Sequence, residues 1–420
     1  MPEDRQPTNG EMITLTLTAM ANGGKSLGRD HRDRVIFVPL TIPGERVRVE
    51  LVESKPRFGQ AALVEVLEPS PDRIEPRCPH FGPCGGCHFQ HINYQAQLRH
   101  KESVIIDQLR RIGKFAQIEV NSTIENPEPW SYSTEVIFHR TADDALGFWS
   151  PSLKQIIPIE KCHIIRDELQ DLYQQFDLNL ESLRRLVLRI GDDGELLAAL
   201  ETDDNEPPTL TADFPISVNL LLPDGKTANL VGNNHTVYEV KGRSFRVTAG
   251  CSFYPSSRAA ELVVDTVLNY ASLSEDDRVV ELYCGVGLLT AFLAGSALEL
   301  VGIESNDDAI ADLSANLDDF DNVTIYQGSV DQVLPILKES PDVLIVEPSS
   351  DGLLPEVLDE ILRLCPERLI YIGSDIATTA RDGRRLKDKG YQPIEVQPID
   401  LWPQTYHVLT VSLWKLERQR

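Results

Sequence analysis

A strand-like run that ends in a glycine turn and passes directly into a helix constrains this chain more than any other feature. Val279-Val280-Glu281-Leu282 leads into Tyr283-Cys284-Gly285-Val286-Gly287, and 288–294 then reads as helical. From 257 to the end, apolar runs recur at 279–282, 300–303, 323–326, 343–346, 369–372 and 408–414, with helix-length intervals between them. That alternation predicts a doubly wound parallel sheet. In such a sheet the first strand-turn-helix corner offers backbone to a ligand at a helix N-terminus. The acid closing the next strand, here Glu304, faces a ribose diol. A G-x-G alone is weak evidence. Thr290 stands where a dinucleotide fingerprint has its third glycine, and Glu281 precedes the turn, which favours S-adenosylmethionine over NAD. The expected cofactor contacts are Tyr283, Gly285, Gly287, Glu304, Ser329 and Glu347, the last closing the run at 342–346.

The chain upstream reads differently. With 420 residues it is too long for one ordinary core. Short β-like runs at 13–17, 34–38, 45–51 and 62–67 predict a small all-β barrel over 1–68. The polar, proline-bounded stretch 69–76 reads as a linker. A helix is expected over 96–112, followed by β-like runs at 136–139, 187–190 and 216–222, so 69–255 reads as an α+β unit and 256–420 as the nucleotide-binding one.

Seven cysteines in a chain whose N-terminus, MPEDRQPTNG, lacks a basic start and an apolar stretch predict a cytoplasmic protein with thiols rather than disulfides. Cys78, Cys84 and Cys87 form C-x5-C-x2-C in a loop rich in Pro and Gly, which lets backbone fold tightly around a compact object. Cys162 is the candidate fourth ligand. Zinc sites usually bring two paired knuckles and the second is missing, so a [4Fe-4S] cluster fits better. Buried small hydrophobes are the structural alternative, and Cys251, Cys284 and Cys365 read that way. A net charge of −25 opposes nonspecific binding to polyanions, although 99–114 is locally basic. No apolar run approaches a membrane span.

Taken in order, these pieces resemble the RNA 5-methyluridine methyltransferases that act on ribosomal and transfer RNA, over nearly the whole chain. Residues 11–67, with Gly23-Gly24-Lys25-Ser26-Leu27-Gly28 and Pro43-Gly44-Glu45, resemble that family's TRAM domain, an OB-like RNA-binding barrel. CPHFGPCGGCHFQH and Cys162 resemble its iron-sulfur ligands. The resemblance implies a class I methyltransferase domain, S-adenosylmethionine, a [4Fe-4S] cluster, an rRNA or tRNA partner and a monomer as the expected state. In the family's reaction a cysteine thiolate adds to uracil C6, C5 takes the methyl group, and a general base removes the C5 proton. The position matching the nucleophile is Ser374, in Gly373-Ser374-Asp375-Ile376, and the position matching the base is Leu409, after His407-Val408. The family's Asp-Pro-Pro-Arg is Glu347-Pro348-Ser349-Ser350, its glutamine after Ser252-Phe253-Tyr254 is Pro255, and its Tyr-Arg-Asn-Lys is Tyr132-Ser133-Thr134-Glu135. Two functions follow as expectations: an RNA methyltransferase that uses other groups, Cys365 or His407, or a catalytically inactive RNA-binding or assembly module that retains cofactor and cluster.

Overall fold

The computed structural model describes residues 9–141, 143, 145–175, 182–203 and 214–417. Strands β1 (Met12–Met20), β2 (Ser26–Arg29), β3 (Val35–Val38), β4 (Arg46–Ser54) and β5 (Phe58–Glu68) close into a barrel in the order β1-β2-β3-β5-β4. Strict alternation writes this barrel. In β4, Val47, Val49 and Leu51 point inward between exposed Arg46, Arg48 and Glu50, so one face of a two-residue repeat fills the barrel. Strand β2, which the sequence did not reveal, is short and carries Gly28 where a Cβ would lie 2.7 Å from the Thr16 carbonyl oxygen.

Helix α1 (Tyr94–Arg111) starts on Asn93, whose side chain accepts from Ala96 N. Strands β6 (Glu135–Arg140), β7 (Leu146–Ser150), β8 (Gln155–Pro158), β9 (Leu183–Ile190), β10 (Leu196–Thr202), β11 (Ser217–Leu221) and β12 (Thr227–Val231) form a seven-stranded sheet in the order β12-β11-β10-β9-β6-β7-β8, with α2 (Asp167–Gln175) on one face. A hairpin of β13 (His235–Val240) and β14 (Arg243–Thr248) follows.

The C-terminal part contains α3 (Ser257–Ala271), β15 (Arg278–Leu282), α4 (Leu288–Ala294), β16 (Glu299–Glu304), α5 (Asp307–Asn316), β17 (Val323–Gln327), α6 (Val330–Val333), β18 (Val343–Val346), α7 (Pro355–Leu364), β19 (Arg368–Gly373), α8 (Ile376–Asp388), β20 (Tyr391–Ile399) and β21 (Leu409–Leu416). The sheet order is β17-β16-β15-β18-β19-β21-β20. The expectation of a wholly parallel sheet needs correction: β21 runs antiparallel to both β19 and β20. The missed strand β20 carries Pro393 and Pro398, and its register slips between Pro393 and Glu395, which blurs the apolar pattern. The chain leaves β15 towards β16 and β17 and then crosses back to β18, which opens a crevice at the carboxyl ends of β15 and β18.

Two segments expected in the central unit pack on the C-terminal one. Helix α1 lies along α8, with Ile105, Leu109 and Phe115 in the same core as Leu386 and Trp414. Val240 and Phe245 of the hairpin enter the core on the sheet's other face. Helix α1 also clamps the connection between β20 and β21. Lys101 Nζ lies 2.6 Å from Asp400 Oδ1 with both side chains almost wholly buried, and Gln97 and Gln404 exchange two hydrogen bonds of 3.0 Å. Removing one partner of such a pair strands a buried charge. Lys101→Met should therefore lower unfolding stability by about 3–5 kcal/mol in urea titrations. The double substitution Lys101→Met/Asp400→Leu should recover most of that loss; equal losses in both variants would show that the pair is not coupled.

Candidate functional site

Three cavities lie in a row from the cysteine loop to the carboxyl edge of the C-terminal sheet. The one at the crevice has a volume of about 530 Å³ and is walled by Tyr283, Gly285, Glu281, Glu304, Glu347 and Leu409, among others. Gly285 (φ 54°) presents bare backbone, with open space where a Cβ would stand, and its N–H donates to Glu304 Oε2 at 3.0 Å. Glu304 Oε1 accepts from the N–H groups of Ser305 (2.6 Å) and Asn306 (2.8 Å), which fixes that carboxylate at the cavity rim.

Two expected contacts are placed elsewhere. Gly287 (φ 86°) does not line the cavity. It caps α4, and a Cβ there would lie 3.1 Å from Leu313 Cγ, so close packing of α4 on α5 requires this glycine. Ser329 precedes α6 and is not among the cavity's walls. The aromatic wall went unread in the sequence, although Phe253 and Tyr254 stand in a motif already singled out. Tyr254 Oη donates to Glu347 Oε2 at 2.7 Å.

Glu281 is buried and accepts from Thr290 Oγ1 at 2.7 Å. Burial pushes its carboxyl up to about 8; the Thr290 hydroxyl opposes this, and the neighbouring Glu347 and Glu304 carboxylates add to it. Burial likewise pushes Glu347 up to about 7, against the Tyr254 hydroxyl.

The middle cavity, about 560 Å³, is walled by Tyr132, Phe253, Tyr254, Trp402, Tyr406 and His407 together with Glu135, Arg189, Ser350, Ser374 and Asp375. Ser374, at the nucleophile position, lines both this cavity and the crevice. Leu409, at the base position, is 1% exposed and belongs to the apolar core. Asp375 caps α8 by accepting from Thr378 N at 2.8 Å. His407 stacks on Tyr406 with ring centroids 4.2 Å apart. Burial, helped by Lys101 and opposed by Asp375, lowers its pKa. Cys365 is not at the site: it is exposed at the end of α7, ahead of β19, whereas Ser374 follows β19. Glu135, where the family has a lysine, pairs with the buried Arg189 (Nε to Oε2, 2.8 Å), whose guanidinium also donates to the carbonyls of Thr248 and Cys251.

Cys78, Cys84, Cys87 and Cys162 all line the third cavity, of about 200 Å³, with Phe81, Val136, Phe148, Ile159 and Ile165 around them. Gln90 Oε1 accepts from Cys78 N (3.0 Å), and Gln170 Oε1 accepts from Cys162 N (2.8 Å), so two buried amides fix the two ends of the site. Burial pushes the Cys162 thiol up to about 11, against the N–H groups of Ile164 and Ile165. Burial also raises Cys87 and Cys84, against the Gln90 side chain and the Gly86 N–H. Among the described residues, no three His, Cys, Asp or Glu converge closely enough to hold a single metal ion.

An uncharacterised RNA methyltransferase of Halalkalibacterium halodurans is 30% identical, covering 99% of this chain and 100% of the relative, and one of Synechocystis sp. is 32% identical over 95% and 94%. The chain belongs to the RNA methyltransferase family. Within this family member, residues 6–64 match the TRAM domain family, which accounts for the barrel. Residues 258–333 match the family described as ribosomal RNA adenine dimethylase, a stretch from α3 to α6 that ends before Ser374 and Leu409. Among solved structures, the tRNA (uracil-54, C5)-methyltransferase of Pyrococcus abyssi in complex with S-adenosyl-L-homocysteine shares the fold, with a TM-score of 0.74, 22% identity, and coverage of 96% of this chain and 100% of that one. No helix among the described residues is long and apolar enough to cross a membrane.

The raised carboxyls set a pH dependence. Their folded pKa values, about 8 and about 7, lie above the ordinary 4.5. The stability they contribute is thus fully present below pH 4.5 and lost as pH rises through 7 and then 8. Glu347 is only half-buried, its exposed surface being cavity wall, so Glu281 should dominate. The urea midpoint should fall between pH 6 and pH 9, and Glu281→Gln should flatten that fall. A slope unchanged by the substitution would contradict the assignment.

Proposed function

We propose that this RNA methyltransferase family member binds S-adenosylmethionine in the crevice and a base of RNA in the middle cavity, and does not methylate uracil at C5. The observation that carries this reading is the pair Ser374 and Leu409: the first stands at the junction of the two cavities, and the second is an almost fully buried leucine on the crevice wall. An unactivated serine hydroxyl is almost wholly protonated near neutrality, whereas a cysteine carries a few per cent thiolate and is intrinsically more nucleophilic. Leu409 accepts no proton. The RNA part of the reading draws support from the TRAM barrel and from the aromatic wall, since stacking on aromatic rings contributes about 1–3 kcal/mol per base. The cofactor part draws support from the exposed Gly285 backbone and from the carboxylates of Glu281, Glu304 and Glu347, which suit a cationic methyl donor. The proposal keeps the division 1–68, 69–255 and 256–420, with α1 and the β13–β14 hairpin packed on the C-terminal unit, and the role is that of a binding or assembly module on rRNA or tRNA.

The four-thiol cavity suits a [4Fe-4S] cluster better than one ion. It is roomier than a single ion needs, Phe81, Val136, Phe148, Ile159 and Ile165 give it a largely apolar wall, and backbone N–H groups already face the Cys84 and Cys162 sulfurs. A cluster bound there would supply the positive charge that buried thiolates require. Protein purified without oxygen should carry visible absorbance that Cys87→Ser removes.

A second reading draws on His407, whose imidazole lines the same cavity as Ser374. The two readings separate in one assay. Anaerobically purified protein is incubated with labelled S-adenosylmethionine and RNA from cells lacking the gene, and the product is digested to nucleosides. We expect no labelled nucleoside alongside an active uracil-C5 enzyme in parallel tubes. Label lost in His407→Ala would establish the second reading, and labelled 5-methyluridine would overturn the first.

A further inference from the structure

The acidity of this chain makes one surface stand out. Helices α1 and α8 lie side by side, and both start at the rim of the middle cavity: α1 is tied there through Gln97 and Lys101, and α8 begins on Asp375, next to Ser374. Both run away from it and end together, with Lys387 Nζ donating to the Lys114 carbonyl at 3.4 Å and lying over the Phe115 ring. At these two ends stand Arg110, Arg111, Lys114, Arg384, Arg385 and Lys389, all exposed except the half-buried Arg385. Among the described residues only Arg111 of the six enters an ion pair, with Asp107. Arginines elsewhere on the surface are commonly matched, as Arg46 is by Glu68, Arg48 by Glu65 and Arg278 by Glu299. Asp388, exposed at the end of α8, and Glu417, whose N–H donates to the Gly390 carbonyl, are acids close by.

Helix geometry explains part of this. Cations near a helix C-terminus offset its partial negative charge, by about 0.3–1 kcal/mol each within the last turn. That accounts for Arg110, Arg111, Arg385 and Lys387, which lie in last turns. It does not account for Lys114 and Lys389 beyond the ends, nor for Arg384. In a chain of net charge −25, cations from the ends of two adjacent helices, all but Arg111 without an ion-pair partner among the described residues, are a complement to a polyanion. The 13 residues of α8 put this face about 20 Å from the cavity rim. That is within reach of strand or stem flanking a base held in the cavity.

We infer that the joined ends of α1 and α8 bind the phosphate backbone of RNA flanking the base that enters the middle cavity. This rests on the RNA-binding part of the proposed function and on neither its catalytic nor its cluster part. The TRAM barrel and the α1–α8 face then hold the substrate at two places, and the affinity missing from the acidic remainder is concentrated here. Such contacts carry no sequence information; they position the RNA and make binding steeply salt-dependent.

The test uses the full chain, a fluorescein-labelled tRNA transcript and a potassium chloride series read by anisotropy. Arg110→Glu/Arg384→Glu/Arg385→Glu should weaken binding about tenfold or more at low salt, and the log–log salt slope should shrink by about 2, at about 0.7–0.9 per lost phosphate contact. Arg384→Gln/Arg385→Gln, which only neutralises, should give a smaller change in the same direction, with both variants melting at the parent temperature. Lys338→Glu, an exposed charge reversal away from this face, should bind like the parent. If the triple variant and parent bind tRNA alike, or if Lys338→Glu loses as much, the assignment of this face is wrong while RNA binding stands. A parent that binds neither this tRNA nor an rRNA transcript in the same series sinks both together. Loss of binding to phosphatidylglycerol vesicles with tRNA binding intact would give the face to a membrane surface instead and overturn the proposal.

Discussion

The connection from β20 to β21 is the element on which the rest of the site depends, and a buried polar clamp holds it. It carries Trp402, Tyr406 and His407 into the middle cavity and delivers Leu409 to the crevice. A loop in such a place has backbone and side-chain dipoles that water cannot reach, so each needs an internal partner. Lys101 serves Asp400 and the Trp402 carbonyl, Gln97 serves Gln404, and Gln404 adopts φ 69° so that its carbonyl accepts from both His88 N (2.8 Å) and Phe89 N (2.9 Å). His88 directly follows Cys87. The cysteine loop, α1 and the last strand of the C-terminal sheet are thereby fastened to one carbonyl group and one ion pair. Such a pair adds little net stability against its desolvation, but it permits a single arrangement of the loop.

The electrostatics of the crevice follow from its burial. Glu281 and Glu347 share one cavity with Glu304, and enclosed like charges cannot all ionise without a compensating cation. Both carboxyls are raised towards neutrality. A cationic ligand removes that conflict, so ligand binding and carboxyl ionisation favour each other by linkage. The same cavity repels an anionic ligand such as the pyrophosphate of a dinucleotide, which agrees with the argument from Thr290 against NAD.

What was legible in the sequence tracks what local physics writes there. The strands of the C-terminal sheet are buried on both faces and read as continuous apolar runs, so 279–282, 300–303 and 343–346 fall inside β15, β16 and β18. Strand β20 escaped because two prolines and a register slip break its pattern. The hairpin β13–β14 does alternate, with Thr236, Tyr238 and Val240 buried between His235, Val237 and Glu239, and it escaped although that two-residue pattern was there to read. Of the cofactor positions, Tyr283, Gly285, Glu304 and Glu347 line the crevice, whereas Gly287 and Ser329 do not, because a glycine spacing cannot say which glycine faces ligand and which faces a neighbouring helix. The four cysteines gather round one cavity although Cys162 lies 75 positions after Cys87. Glu135 with Arg189 depends on residues distant in sequence, and of the α1–α8 face only the basic stretch 99–114 was visible there.

On the proposed reading, Leu409 marks where the fold is kept without the uracil chemistry. Strand β21 begins there, with neighbours Val411 and Leu413 in the apolar core and Ile399 as its partner across β20. A leucine serves that packing better than any acid does. A carboxylate restored at 409 would enter a cavity that already holds Glu281, Glu304 and Glu347, and its ionisation would be suppressed by the same burial that raises two of them. Ser374 is under no comparable constraint, since it faces two cavities and a thiol would fit where its hydroxyl stands. The two positions therefore differ in what reversal demands. Cysteine at 374 returns a nucleophile without disturbing the core, whereas a base at 409 requires the surrounding carboxyls to be rearranged as well.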